Sequence, residues 1–290
     1  MGQTLLDDKA KKTLAELEKI YSLPAMSGVM LEVSKLLDDP STTTSDLSEM
    51  IGKDQGMSSK VLTIANSPLY GLPRKVSTID FAIMIIGFQD VKNIVVALSM
   101  IEAFKDEDSG SMSQKDFWLH SLLSGNAAKR ISEDLGYKFG AEAFVAGLLH
   151  DLGIPVIQKY FPKGFKEIEK LVKDSEISFT EAQLEVLGLT HEKIGFILAE
   201  NWNLPVQLCE VIKNHHNPQE ALDNEIITSI VHLVDYMTQR FQIGNFYWDD
   251  EMGIEDKVLD ILNFKDEEEF IQFIDGYQDL FRQEIEVLRI

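Results

Sequence analysis

Positive charge is scarce in this 290-residue sequence, and cysteine is nearly absent. Lys and Arg together number 27 against 48 Asp and Glu, which leaves a formal net charge of −21. Such a surface repels phosphate groups at long range, so we expect neither non-specific nucleic-acid binding nor binding to anionic membranes. The single cysteine, Cys209, excludes an internal disulfide framework and is typical of a reducing compartment.

Long hydrophobic runs are also missing. The longest apolar stretch, Phe81 to Phe88, is far too short to span a membrane. The first residues include Asp7, Asp8 and Glu16 and no apolar signal core, so we expect no secretory signal. With 44% hydrophobic and 26% charged residues, the composition is typical of a globular protein with a sizeable core. The sequence therefore predicts a cytoplasmic protein without a membrane partner.

Apolar residues recur at helical spacing along almost the whole chain, and no long alternating run indicates an exposed strand. This pattern predicts an all-α fold, a two-lobed helical bundle. The predicted helices include 14–21, 26–37, 47–51, 55–66, 77–86, 89–104, 116–135, 142–150, 165–174, 191–202, 206–214, 225–240 and 255–288. The acidic, Gly- and Ser-containing segment 105–114 is the best linker. We therefore place an N-terminal lobe at 1–106, the linker at 107–113, a second lobe at 114–245, and acidic C-terminal helices at 246–290 as a solvated outer layer.

Three local patterns resemble known motifs but lack the residues those motifs need. Segment 52–60 has the wrong glycine spacing for a phosphate-binding loop. Segment 46–66 is similar to a helix-turn-helix, but its second helix carries one basic residue, Lys60, in a strongly acidic chain. Cys209 has no activating partner evident in the sequence, and no Gly-x-Ser-x-Gly motif occurs. Nucleotide binding through such a loop, DNA reading and nucleophilic hydrolysis are all disfavoured.

The six histidines carry the most information. Several of them, and two aspartates, lie at the ends or in the middle of apolar helices, where an unpaired polar group is costly. A single such histidine is explained as a helix cap or a hydrogen-bonded core group, and we interpret His232 in that way. Asp116, one helical turn before His120, is left open between that role and ligation. The candidate metal ligands are His120, His150, Asp151, His191, His215, His216 and Asp235.

Together these imidazoles and carboxylates form the mixture that suits iron, manganese, zinc or nickel. We predict one or two divalent ions. A first ion would be held by His120, His150, Asp151 and Asp235. A second would be approached by three further histidines, 191, 215 and 216, and would share Asp151, whose two carboxylate oxygens can bridge two ions.

The order of these ligands resembles the metal-binding pattern of the HD superfamily of phosphohydrolases, especially its HD-GYP branch. The first half of the chain resembles the HDOD family. The matching segments are Leu23-Pro24-Ala25-Met26, Leu37-Asp38-Asp39-Pro40, Leu47 to Ile51, and Ala65-Asn66-Ser67 with Tyr70-Gly71. The resemblance covers residues 15–240. It implies an all-helical bacterial signalling module, an output or scaffold domain with a protein partner.

The sequence departs from the catalytic HD-GYP pattern at two places. Ile154 stands where a lysine ends the motif, and Asn217-Pro218 follows the histidine pair in place of a Gly-Tyr-Pro segment. We therefore favour a signalling module with a retained metal site and without efficient cyclic-dinucleotide hydrolysis. The alternative is a metal-dependent phosphohydrolase acting on a nucleotide or phosphoester, with Asp151 as the catalytic bridging residue.

Overall fold

The computed structural model describes residues 2–21, 42–72, 74–103, 113–175, 177–244, 248, 253–254 and 256–288. Within these ranges the chain is helical and contains no strand, which confirms the all-α prediction. The predicted helix over 26–37 lies outside the described residues. So does the predicted linker except for Ser113, whose hydroxyl caps the helix that follows.

The N-terminal half forms five α-helices and one 3₁₀ turn within the described residues. They are α1 (Gly2–Tyr21), α2 (Thr44–Lys53), α3 (Gln55–Ala65), the 3₁₀ turn Pro68–Tyr70, α4 (Ile79–Ile86) and α5 (Phe88–Ala103). Helix α2 begins with a capping box, in which the Thr43 backbone N–H donates to Asp46 at 2.8 Å and the Thr43 hydroxyl accepts from the Asp46 backbone. This satisfies amide groups that a helix start otherwise leaves unpaired.

The second half contains the longest of the described helices and most of the polar residues of interest. Its elements are α6 (Gln114–Asp134), α7 (Gly140–Leu149), α8 (Gly153–Tyr160), α9 (Pro162–Ser175), α10 (Phe179–Leu187), α11 (His191–Asn201), α12 (Val206–Asn214), the 3₁₀ turn Pro218–Glu220 and α13 (Glu225–Arg240). Three helices follow: α14 (Asp256–Ile261), α15 (Glu267–Asp275) and α16 (Gln278–Leu288). The sequence pattern predicted neither α8 nor α10.

The two halves share one hydrophobic core. Helix α5 packs on α7, and α1 packs on α10, where the Thr13 hydroxyl donates to the Leu187 carbonyl at 2.7 Å. Leu17, on the same helix α1, is fully buried. The N-terminal helix is therefore held by the second half of the chain.

The acidic C-terminal helices are helical as predicted, but they are more than a solvated layer. Phe270, Ile274 and Phe281 are fully buried or nearly so. Glu284 is also completely buried. Its burial is tolerated because its carboxylate accepts hydrogen bonds from both halves of the protein. The acids around these residues face solvent, while one face of each helix completes the core.

Glu284 connects the segment Ala65–Gly71 to helix α6 through hydrogen bonds. Its Oε2 accepts from the Ser67 hydroxyl at 2.7 Å and from the Leu69 backbone N–H at 3.2 Å. Its Oε1 accepts from the Asn126 amide at 2.6 Å. We call these four residues the Glu284 knot.

The same segment is held from its other side by Asn66. The Asn66 amide donates to the carbonyls of Leu62 and Val76 at 2.7 and 2.8 Å, and its oxygen accepts from the Val76 N–H at 2.7 Å. These bonds pair backbone groups that leave the helical pattern after α3. The polar residues that distinguish this segment are thus structural.

One helical stretch, Gly140–Tyr160, meets the length and hydropathy criteria for a membrane span. In the folded protein 89% of that window is buried. The hydropathy of this stretch therefore agrees with its place in the core, where α7 and α8 are surrounded by other helices.

Candidate metal centre

Five separate parts of the chain bring polar side chains to one point in the second half. The contributing elements are α6, the turn between α7 and α8, the start of α11, the end of α12 and the middle of α13. The side chains are, in that order, those of His120; His150 and Asp151; His191; His215 and His216; and Asp235. All of them are at most 1% exposed except His216, which is half-buried.

Close approach of helix backbones at two glycines sets this geometry. A Cβ on Gly147 would lie 2.5 Å from the Ser124 carbonyl oxygen, so α7 can pack directly on α6 only because that atom is absent. A Cβ on Gly153 would lie 2.0 Å from the His191 carbonyl oxygen, which places the start of α8 against the start of α11. These contacts bring the turn that carries His150 and Asp151 against both neighbours.

The first half of the cluster surrounds Oδ2 of Asp151. The Nε2 atoms of His120 and His150 each lie 3.3 Å from that oxygen and 3.2 Å from one another. Oδ1 of Asp235 lies 3.3 Å from His150 Nε2 and 3.6 Å from His120 Nε2. Two imidazoles and two carboxylates thus face a common point.

The second half surrounds the other oxygen of Asp151. The Nε2 atoms of His191 and His215 lie 3.3 and 3.6 Å from Oδ1 and 3.3 Å from one another. A ligand atom of His216 lies within 4.8 Å of ligand atoms of both. The structure therefore brings the candidate ligands together in two groups, one around each oxygen of Asp151.

Hydrogen bonds at the far side of three imidazole rings define their tautomers. The Nδ1 atoms of His150 and His215 lie 2.7 and 3.0 Å from the carbonyl oxygens of Gly147 and Ile212. A carbonyl only accepts, so each Nδ1 carries a proton and, in the neutral ring, each Nε2 presents a lone pair. Two lone pairs therefore point into the cluster.

His191 is oriented in the same way by a side chain. Its Nδ1 lies 3.0 Å from Gln183 Oε1, and the His191 backbone N–H donates to that same oxygen at 2.7 Å. The backbone donor identifies the Gln183 atom as oxygen, so Nδ1 of His191 must donate too. Glu192 Oε2 lies 3.2 Å from Nδ1 and places negative charge beside the ring. Such outer hydrogen bonds fix the tautomer and the ring orientation of histidines that bind metals.

The charges of the cluster call for a cation. Burial raises the pKa of Asp151, but the neighbouring His150 and the hydrogen bonds from His120, His150 and His191 outweigh it, so the pKa lies well below its usual range. Burial lowers the pKa of His150, but the carboxylates of Asp151 and Asp235 raise it well above the ordinary value. Without a metal, a proton on His150 supplies part of the positive charge that the carboxylates require.

The two histidines at the end of α12 remain neutral. Burial, together with His216 and His150, holds the pKa of His215 well below its ordinary value. Burial also lowers the pKa of His216 to about 4. Neutral imidazole is the form that binds metal ions, so these rings are ready to ligate at neutral pH.

Asp235 provides the clearest test of whether a metal fits. Its carboxylate is fully buried, and neither oxygen accepts a hydrogen bond from the residues that the structure describes. A buried carboxylate without such partners is strongly disfavoured unless a cation neutralises it. The residues present therefore fit one or two divalent ions.

Trp248 and His232 contact the cluster from outside the ligand set. The Trp248 indole N–H donates to Asp151 Oδ2 at 2.8 Å, and the indole lies edge-on to the His120 ring with centroids 5.6 Å apart. His232 donates from Nδ1 to the His215 carbonyl at 2.7 Å and is fully buried, which confirms its interpretation as a hydrogen-bonded core residue. Sequence reasoning missed Trp248.

Two other sequence candidates lie apart from the cluster. Asp116 occupies the first turn of α6, and the converging ligand groups found among the described residues do not include it. Cys209 is buried, and burial raises the pKa of its thiol, so it is not an activated nucleophile. Segment 52–60 is mostly helical, with the Asp54 side chain capping α3, and does not form a phosphate-binding loop.

Comparison with known proteins identifies the fold. The family model of the HDOD domain matches residues 23–218. The crystal structure of an HDOD domain protein from Geobacter sulfurreducens aligns with a TM-score of 0.73 at 25% identity, covering 96% of this chain and 98% of the other.

More distant structures share the same fold. A candidate signal transduction protein from Marinobacter aquaeolei aligns with a TM-score of 0.71 at 20% identity, over 99% of this chain and 66% of the other. A candidate metal-dependent phosphohydrolase from Shewanella amazonensis aligns with a TM-score of 0.66 at 17% identity, over 99% of this chain and 97% of the other.

Among proteins compared by sequence, an uncharacterized protein of Treponema pallidum is 24% identical over 229 residues, which are 78% of this chain. The matched part is 44% of that relative's length.

Proposed function

The chain belongs to the HDOD family, and we propose that it is a bacterial signal-transduction module, an output or scaffold domain that retains an HD-type metal centre. In this proposal the centre holds helices of the second half together, and a protein partner binds elsewhere on the surface. We further propose a cytoplasmic location and one or two ions of iron, manganese, zinc or nickel, held by Asp151 and the six candidate ligands around it.

One observation carries the proposal. In their neutral forms, the imidazoles of His150, His191 and His215 direct their Nε2 lone pairs at the buried carboxylates of Asp151 and Asp235 over 3.3–3.6 Å. Each of these imidazoles donates its other ring N–H away from the cluster. Facing lone pairs and carboxylates repel one another unless positive charge lies between them. A divalent ion supplies that charge for both halves of the cluster.

Bound at such a centre, a divalent metal would supply Lewis-acid chemistry. The chain's own residues would bind and orient it: Asp151 through both oxygens, and the imidazoles through Nε2. Their burial limits access by a substrate, since all of these residues are buried except His216, which is half-buried. A buried centre of this kind is better suited to holding helices together than to binding a cyclic dinucleotide.

The residues around the pair His150 and Asp151 also weigh against efficient hydrolysis. Ile154 stands where the catalytic relatives are expected to have a lysine, and it is fully buried in α8. It offers no charge to a phosphodiester. After the histidine pair the chain enters the 3₁₀ turn Pro218–Glu220. Losing one well-placed charged contact costs about 2–4 kcal/mol of transition-state stabilisation, or roughly 30- to 1000-fold in rate.

The first experiment measures metal content. Purified protein should contain at least one transition-metal ion per chain, and Asp151→Ala should lose it, because that carboxylate contacts both halves. Asp116→Asn is the matched control: it changes an aspartate one helical turn before His120 but outside the cluster, and it should keep its metal. Protein that binds no transition metal after reconstitution would contradict the proposal.

The second experiment measures turnover of cyclic dinucleotides by protein loaded with iron, manganese or zinc. We expect rates below about 0.1 s⁻¹, well under the typical enzyme median of about 10 s⁻¹. A faster rate that Asp151→Ala abolishes would support the alternative, a metal-dependent phosphohydrolase with a nucleotide or phosphoester substrate. The bridging position of Asp151 and the partial exposure of His216 favour that alternative.

A further inference from the structure

Trp248 is a buried indole whose polar atom is directed at the metal centre. It is 1% exposed, and its N–H donates to Oδ2 of Asp151 at 2.8 Å across 97 residues of sequence. A buried indole N–H needs an acceptor. Here the acceptor is the one side chain that belongs to both halves of the cluster.

The same indole also contacts a second candidate ligand. Its ring lies edge-on to the His120 ring, with an interplanar angle of 89° and centroids 5.6 Å apart. The ring centroid of Phe117, on the same helix as His120, lies 6.2 Å from that of the indole. Trp248 thus restricts the Asp151 carboxylate by a hydrogen bond and the His120 ring by packing.

From this geometry we propose that Trp248 is a positioning residue of the metal centre, an inference that rests on the proposed function. The indole N–H occupies one lone-pair direction of Oδ2 and so fixes the plane of the carboxylate. In that plane Oδ2 faces His120 and His150, while Oδ1 faces His191 and His215. Without the indole, the carboxylate loses a hydrogen bond that comes from outside the candidate ligands, and its orientation between the two halves of the cluster is less restricted.

The first test compares metal affinity in Trp248→Phe with that of the wild type. Phenylalanine keeps an aromatic ring but removes the N–H donor. Loss of an outer hydrogen bond to a metal ligand typically weakens metal binding about 10- to 100-fold. Trp202→Phe makes the same chemical change at the end of α11 and should leave the affinity within about threefold of the wild type. A folded Trp248→Phe protein with wild-type metal affinity overturns the proposal.

The second test uses the fluorescence of Trp248 and does not depend on the folding of Trp248→Phe. The sequence has three tryptophans. Trp118→Phe combined with Trp202→Phe therefore leaves Trp248 as the one indole reporter. Titration of metal-free protein with Mn²⁺ or Ni²⁺ should quench this emission in step with metal uptake. Asp151→Asn should weaken both uptake and quenching.

The two proposals fail in different ways. Wild-type protein that takes up no metal contradicts the proposed function. Metal uptake that leaves Trp248 emission unchanged, or that is equally tight in Trp248→Phe, overturns only the positioning role.

Discussion

The Glu284 knot is expected to be one of the strongest single contributions of a polar side chain to stability. Glu284→Ala removes the acceptor of the Ser67 hydroxyl and of the Asn126 amide, both of which are buried. The Leu69 N–H keeps a weaker bond to the Ser67 hydroxyl at 3.2 Å. Two stranded donors and the cavity left by the side chain together predict a loss of about 3–5 kcal/mol of unfolding free energy.

Glu284→Gln is the matched variant because it keeps length and shape. Its oxygen can accept from Ser67 and Leu69, but its NH₂ group would then meet the Asn126 amide donor. The Asn126 oxygen has no hydrogen-bond partner among the residues that the structure describes, so turning that amide over presents an acceptor to the new NH₂ group. We therefore expect Glu284→Gln to stay within about 1 kcal/mol of the wild type at pH 7.

The pH dependence gives a second signature of the same side chain. Burial raises the pKa of Glu284 above its ordinary value of 4.5, although the bonds from Ser67, Leu69 and Asn126 act in the opposite direction. The folded state therefore binds the proton more tightly than the unfolded state does. The stability from this linkage is fully present below about pH 4.5 and is lost as the pH rises through the folded pKa. Glu284→Gln does not titrate, so its stability relative to the wild type should increase over that window.

Urea denaturation from pH 4.5 to 7 measures both effects. The midpoint should fall strongly for Glu284→Ala, with an unchanged dependence of free energy on urea concentration. A loss of less than about 1 kcal/mol in Glu284→Ala would refute the assignment of the knot as a stability determinant. An equal loss in Glu284→Gln would show that the charge, rather than the paired donors, is what matters.

Three further changes follow from the same geometry. Gly153→Ala forces a Cβ against the His191 carbonyl, so it should lower the free energy of unfolding by about 2–3 kcal/mol and weaken metal binding. Gly52→Ala, with open space around it, should be neutral or stabilise the protein by up to about 1 kcal/mol. Thermal melts of both variants and metal titration of Gly153→Ala test this prediction. Chelation of the metal, or Asp151→Ala, should lower the melting temperature by about 5 °C or more. An ion present at roughly 100 times its dissociation constant adds about 2.7 kcal/mol to the free energy of unfolding. An unchanged melting temperature after verified metal removal would exclude a structural role for the metal. Asn66→Ala removes three hydrogen bonds and should lower the free energy of unfolding by about 2–3 kcal/mol. Urea denaturation measures this loss, and a value below about 0.5 kcal/mol would contradict the structural role of Asn66.

Helical periodicity predicted the helices that have one apolar and one polar face. Helices α11, α12 and α13 begin and end within one residue of their predicted bounds. Helix α8 was missed because residues 153–158 are all buried, so no polar face marks the period. Gly153 and Pro155 at its start also read as helix breakers, although proline is tolerated in the first turn of a helix. Helix α10 is only nine residues long and gives too short a pattern.

The candidate ligand residues stand out in the sequence because they break local rules. Asp235 and the pair His150 and Asp151 place polar groups in apolar helices, and that conflict is visible in the sequence alone. The supporting residues break no such rule. Trp248 meets Asp151 across 97 positions and Glu284 meets Ser67 across 217, so nothing near either residue signals the contact. Glu284 lies in an acidic segment whose other acids, where the structure describes their burial, are exposed.

Helix α6 is one element that the candidate metal centre and the N-terminal half have in common. His120, near its start, faces Asp151, and Asn126, further along, holds the Glu284 knot. Lys129 then lies 3.9 Å from Asp90 at the start of α5. A metal ion held by His120 and Asp151 would therefore be bound to a helix that also contacts the N-terminal half. Tightly packed helices move as units rather than deforming locally, so α6 connects the candidate metal centre rigidly to that half.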